Sequence, residues 1–213
     1  EGTGKGADPI ADVLAQSTQT VTAAGGHNNP DEKPFRVLVL DGGGINGMAQ
    51  VKALAELGEM EFRCLLVGDD QGRSGYRQEL ISLVKKLRLG SKVHFVGHCD
   101  DMPAAYMLAD VVISASTDPE AFGRVMVEGQ ALGKPVIGAD HGASRELILP
   151  NETGWLVPPN KTSALASMLK HVLSLDTPFR EELASRAISN VRANFSRAQM
   201  CAKTVDVYHE VLD

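Results

Sequence analysis

"VVISASTDPEAFGRVMVEGQALGKPVIGAD", Val111 to Asp140, carries the pattern on which the fold turns. A short β-branched run, "VVIS", gives way to a polar loop and then to "FGRVMVEGQALG", which has helical character. Lys134-Pro135 breaks that stretch, and a second short apolar run, "VIGA", follows. Strand, single helix and strand, bounded by Gly and Pro, describe a crossover unit that lays its two strands in parallel. Both runs are apolar throughout rather than alternating, as expected of strands covered on both faces.

The same alternation extends in both directions. "RVLVL" is a strand and "GMAQVKALAELG" (47–58) a helix, and "FRCLLVG" is again a strand. "GYRQELISLVKKLRL" places Leu80, Ile81, Val84 and Leu87 at helical spacing. "KVHFVG" is a strand, "MPAAYMLAD" a short helix, "DHGASRELI" a turn-like stretch and "GWLV" a short strand. Three helices close the chain, at about 160–175, 178–194 and 197–212. The pattern predicts an α/β fold with a single doubly wound, mostly parallel, Rossmann-like sheet and a helical C-terminus. Residues 1–33, rich in Gly, Ala, Thr, Asn and Pro, read as a flexible tail, and residues 34–213 as one Rossmann-like domain. Met200, Val205, Tyr208 and Val211 are expected to form a core face of the last helix. Trp155 is expected to pack under a loop, and Lys134 to be a solvated turn residue.

Composition narrows the function classes. With 43% hydrophobic and 23% charged residues, the chain reads as an ordinary globular protein. A formal net charge of −6 argues against a nucleic-acid partner, because polyanion binders carry a basic excess. No apolar run approaches the roughly 20 residues that span a bilayer. The opening "EGTGKGADPI" lacks a signal-peptide pattern, so a cytoplasmic location is expected. Cys64, Cys99 and Cys201 form no CxxC pair, and two of them sit in apolar surroundings as candidate buried thiols. "GHCDD" (97–101) offers potential ligands in one short turn, too close together to complete a metal shell, and no metal is expected.

The loop after "VVIS" holds an acid, Glu120, and Phe122-Gly123 then opens a helix. The free N–H groups and positive dipole end of that helix suit an anion. Gly123 lets a phosphate approach, and Glu128 is near enough to reach a ligand's hydroxyls. The next strand ends in "DHGASRE", a second polar loop at the same sheet edge, containing His141 and Gly142. Open α/β sheets bind ligands along that edge, and two loops offering acids, amides and cations suit a ligand with both hydroxyls and phosphates.

E-x-F-G with a second acid in the form E-x7-E, followed by "ALGKPVIGAD" and "GASRELI", resembles the donor-binding, C-terminal half of the group 1, GT-B-fold retaining glycosyltransferases. The resemblance runs over about residues 61–213, through "CLLVGDD", "KVHFVGHCDDMPAAYMLADVVISAS", "NETGWLVPP" and "FSRAQMCAKTVDVYHEVL", in order. It implies a nucleotide-diphosphate sugar as donor substrate, no cofactor, and transfer of the sugar with retention. Glu120 would then contact the sugar hydroxyls as the catalytic acid residue, and Glu128 the ribose. Phe122, Gly123, Arg124, Val125 and Gly142 would hold the sugar and diphosphate, and His98 would flank the base. It implies an acceptor domain or chain supplied separately, peripheral membrane contact through the acceptor, and a closing segment that crosses toward the acceptor half.

That family carries an Arg and a Lys in the loop preceding the "FRCLLVG" strand, where this chain reads "DGGGINGMAQVKAL", with Gly42, Gly43 and Gly44 as a bare phosphate loop. The same stretch, "RVLVLDGGGINGMAQVKALAEL", resembles the oxyanion loop of the patatin-like acyl hydrolases. That chemistry needs a serine in G-x-S-x-G, and neither Ser74 nor Ser144 has that spacing. Beside catalysis stands a second reading, a nucleotide-sugar-binding module without transferase activity.

Overall fold

The apolar runs form the six strands of one parallel sheet: β1 Val37–Asp41, β2 Arg63–Val67, β3 Val93–Gly97, β4 Val111–Ser114, β5 Val136–Ala139 and β6 Trp155–Val157. The structure is a computed structural model that describes residues 37–41 (backbone), 47–68 and 74–212. The expected tail and the glycines Gly42, Gly43 and Gly44 lie outside the described residues. The strand order is β3-β2-β1-β4-β5-β6. Chain direction across the sheet therefore reverses between β1 and β4, where Leu38, Val39 and Leu40 pair with Val111, Val112 and Ile113.

The described helices are α1 Gly47–Ala55, α2 Ser74–Lys86, α3 Met102–Leu108, α4 Arg124–Ala131, α5 Ser144–Leu147, α6 Thr162–Leu173, α7 Thr177–Asn194 and α8 Arg197–Leu212. Strand side chains alternate between two cores. Cys64, Leu66, Val111, Ile113 and Ile137 meet α1, α2 and α6 on one face. Leu65, Val67, Val112 and Val136 meet α3, α4 and α5 on the other. Covering both faces is what made β4 and β5 read as unbroken apolar runs, and all their residues are buried.

Two helices start on the same device. Asp101 caps α3 by accepting from the Ala104 amide at 3.0 Å, and Asp176 caps α7 by accepting from the Phe179 amide at 3.0 Å. Each is an Asp-x-Pro, with Pro103 or Pro178 where a missing N–H costs nothing. Arg180 then ties α7 to the end of α6, donating to the carbonyls of Leu175, Val172, Leu173 and, ahead of β4, Asp110.

Four expectations need correction. The "DHGASRELI" turn contains a one-turn helix, α5. Lys134 is half-buried and donates from Nζ to the Met107 carbonyl at 2.8 Å. Burial lowers its pKa, with Asp110 opposing and Arg180 adding to the shift. Of the three free cysteines only Cys64 is buried, and burial pushes its thiol pKa well up; Cys99 is half-buried and Cys201 exposed. Finally, α8 has no buried residue: Met200, Val205, Tyr208 and Val211 are 62%, 50%, 64% and 77% exposed. Helical periodicity marks an apolar face but not what covers it, and no described element lies against this one. Trp155 is buried as expected, edge-on to His171 at 6.0 Å between ring centroids.

Candidate functional site

A parallel sheet opens a crevice beyond its carboxyl ends where strand order reverses. Here that point lies between β1 and β4, and the E-x-F-G loop leaves the sheet from the end of β4. A cleft of about 290 Å³ opens at the end of β4, lined by Ser114, Glu120, Phe122, Gly123, Arg124 and Val125. Five of these six residues were singled out in the sequence, and Ser114 is the buried last residue of β4. Beneath the end of β4 on the opposite face, around Ala49, Ala115, Ala139 and Val157, the space is only about 10 Å³, room for about one water.

Gly123 makes the wall possible. It caps α4 in the left-handed region, with φ +77, and offers no side chain to the first-turn amides. A Cβ there would fall 2.2 Å from Met126 Cε and 3.2 Å from Leu147 Cδ1. The positive end of α4 therefore stands at the cleft, a setting that favours an anion. Phe122 beside it is 52% exposed.

The loop after β5 braces the loop after β4. The Ala143 amide donates to the Glu120 carbonyl at 3.1 Å. His141 donates from Nε2 to the Ser116 carbonyl at 3.0 Å, leaving Nδ1 buried with no hydrogen-bond partner. Gly142, at φ +54, has no room for a Cβ, which would sit 2.9 Å from the Glu120 carbonyl oxygen and 3.0 Å from its nitrogen. Gly142 was expected to hold the ligand. Its Cβ side faces the backbone of Glu120, so it braces that acid by close packing. Arg145 secures the same loop through Asp140, donating to Oδ1 at 2.8 Å and to the carbonyl at 3.0 Å.

Glu128 lies one turn along α4 with both oxygens engaged. Oε1 accepts from Arg124 Nε and Nη2 at 3.2 and 3.0 Å. Oε2 accepts from the Tyr106 hydroxyl at 3.0 Å. Tyr106, 1% exposed on α3, was not identified from the sequence. The signal was a tyrosine on the buried face of a short helix, because a buried hydroxyl requires a partner. Gln130 was missed as well: buried in α4, it donates to the Leu147 carbonyl at 3.1 Å and ties α5 to the site.

His98 is not among the cleft residues. It follows directly after β3, three strands from β4, at roughly 14 Å on ordinary strand spacing. Its side chain is 71% exposed and pairs with Asp100 at 2.9 Å. Among the described residues no group of three His, Cys, Asp or Glu side chains is placed to hold a metal ion, and no helix is long and apolar enough to cross a membrane. Ser144 is 1% exposed and could not meet an ester.

Residues 48–193 match the family described as glycosyl transferases group 1. The chain belongs to that family. The Bacillus anthracis N-acetyl-alpha-D-glucosaminyl L-malate synthase is 28% identical to this glycosyltransferase-family chain over 163 residues, 76% of the chain and 41% of the relative. A glycosyltransferase structure from Rickettsia africae ESF-5 superposes with TM-score 0.81 at 30% identity, over 97% of this chain and 54% of the other. An Anabaena protein solved in complex with UDP-glucose superposes with TM-score 0.76 at 26% identity, over 96% and 54%. This group 1 chain spans about half the length of each of these neighbours. The resemblance to acyl hydrolases is thereby confined to the stretch around the glycine loop.

Proposed function

We propose that this chain is the donor-binding half of a retaining glycosyltransferase, taking a nucleotide-diphosphate sugar in the cleft at the end of β4. The observation that carries the reading is the cleft at the end of β4, where the Glu120 loop and the N-terminus of α4 converge and where the lining Arg124 donates to the carboxylate of Glu128. Glu120 would grip the sugar hydroxyls and Glu128 the ribose. The first-turn amides of α4 and the Arg124 guanidinium would stabilise the charge that builds on the departing diphosphate. His98 would lie along the base end of the ligand, at the far side of the same sheet edge. The acceptor would be supplied by a second domain or chain. The length of the GT-B neighbours and the bare apolar face of α8 support that arrangement.

A panel of UDP-, GDP- and ADP-sugars tests the reading. The matching donor should stabilise the fold by RT ln(1 + [L]/Kd), about 2.7 kcal/mol at a hundredfold excess over Kd. Glu128→Ala should weaken that response. Silence across the whole panel would refute the assignment. The loop that follows β1 contains no Arg or Lys before Lys52, and this favours the second reading, a module that binds the donor without transfer. Glu120→Ala separates the two. Sugar transfer abolished with binding retained marks the enzyme, whereas wild-type binding without transfer to any acceptor supplied together with the acceptor half marks the module.

A further inference from the structure

Arg124 is the first residue of α4, where the helix dipole disfavours a cation. It pairs with Glu128 at i,i+4 with the base on the N-terminal side, the weaker of the two orientations. The pair is also lopsided, the Arg124 side chain being 81% exposed and that of Glu128 36%. An exposed pair of this kind contributes little stability. The other carboxylate oxygen is held from below by the buried hydroxyl of Tyr106. Glu128 is therefore positioned independently of Arg124, and Arg124 itself lines the cleft, as its cation among the described residues. A cation at the wrong end of its helix, weakly tethered and beside an empty volume of about 290 Å³, is placed for an anion that arrives with the ligand.

We propose that Arg124 is an exchangeable counter-ion. Without ligand it neutralises Glu128. When ribose hydroxyls take Oε1 of Glu128, the guanidinium swings by side-chain rotation into the cleft and pairs with the diphosphate, where planar, charge-assisted contacts are stronger than the pair it leaves. Tyr106 is the fixed partner in this exchange, a positioning residue that keeps Glu128 aimed while Arg124 moves. Ribose and diphosphate recognition are then coupled through one side chain, in a protein whose sequence from Asp41 to Val51 contains no Arg or Lys. The inference rests on the nucleotide-sugar reading of the site.

Calorimetric titrations with uridine and UDP, adenosine and ADP, and guanosine and GDP test it on the full chain, as wild type, Arg124→Gln, Arg124→Lys and Tyr106→Phe. For the base that binds, Arg124→Gln should lower diphosphate affinity about tenfold or more. Nucleoside affinity should hold or rise, because Glu128 has lost its competitor. Arg124→Lys should recover part of the loss, and added salt should erode the diphosphate advantage in wild type but not in Arg124→Gln. Tyr106→Phe should weaken nucleoside and diphosphate alike. Equal losses for both ligands in Arg124→Gln, or no loss for the diphosphate, would overturn the exchange while leaving the nucleotide site standing. No binding of any pair to the wild type would overturn the site itself.

Discussion

Gly142 acts through a neighbour. Because its missing Cβ is the space occupied by the Glu120 backbone, Gly142→Ala should cost roughly 1–2 kcal/mol from the left-handed conformation alone, and more from the displaced loop. Donor affinity should fall together with melting temperature; a stable variant that binds normally would show that the two loops move independently. His94, on the edge strand β3, makes a prediction about pH. Its Nε2 is buried with no hydrogen-bond partner. Burial, and then the charge of Arg63, hold its pKa below the ordinary 6.5. The unfolded chain therefore takes up this proton first. Stability is unaffected above pH 6.5 and falls as pH drops through 6.5 toward the folded value. His94→Gln should flatten part of the decline in melting temperature between about pH 7.5 and pH 5, and an unchanged profile would remove His94 from the account.

Among the elements, the junction of α6, α7 and β4 depends on one side chain. Four carbonyls converge on the Arg180 guanidinium, at distances from 2.6 to 3.4 Å. Three of them belong to the last turn of α6 and the residues after it, where carbonyls lack the i+4 donors of a continuing helix; Val172 also accepts from the Leu175 amide at 3.3 Å. Arg180→Ala should destabilise the protein by about 1–3 kcal/mol, read from the urea midpoint. Arg180→Lys should recover little, because an ammonium cannot spread over acceptors that a planar fork spans. A lysine variant of full stability would mean that charge rather than geometry matters here. Element boundaries also show what local signals convey. Both Asp-x-Pro caps are readable from sequence. The start of α4 is not, since its cap is a left-handed glycine without a capping side chain, and the helical stretch expected from Phe122 begins at Arg124.

For the molecule as a whole, α8 stands apart from the two cores. None of its residues is buried, so removing everything from Arg197 onward should change the free energy of unfolding by less than about 1 kcal/mol. A loss above about 2 kcal/mol would show that the helix is integral to this half. Met200, Val205, Tyr208 and Val211 leave an apolar stripe that, on the reading proposed above, the acceptor half covers. The truncated chain should therefore still bind the donor but lose its hold on that partner, which a pull-down with the acceptor half would register.

The alternation of strands and helices, the parallel sheet and the acid-glycine-acid segment at its edge were all decided by local chemistry: β-branched runs, breakers between them, and turn residues where the chain reverses. Glu120, Phe122, Gly123, Arg124 and Val125 could be named together because they are neighbours in sequence and share one loop and one helix start. The contacts of Tyr106, His141 and Gly142 could not, since they join segments up to 25 residues apart and exist only once β4, β5 and α3 are side by side. The exposure of α8 was equally invisible, because a helix repeats its apolar face with the same period whether or not a partner is present. Sequence determined what each segment is; packing decided which polar atoms meet, and so which side chain holds Glu128 and which one is free to leave it.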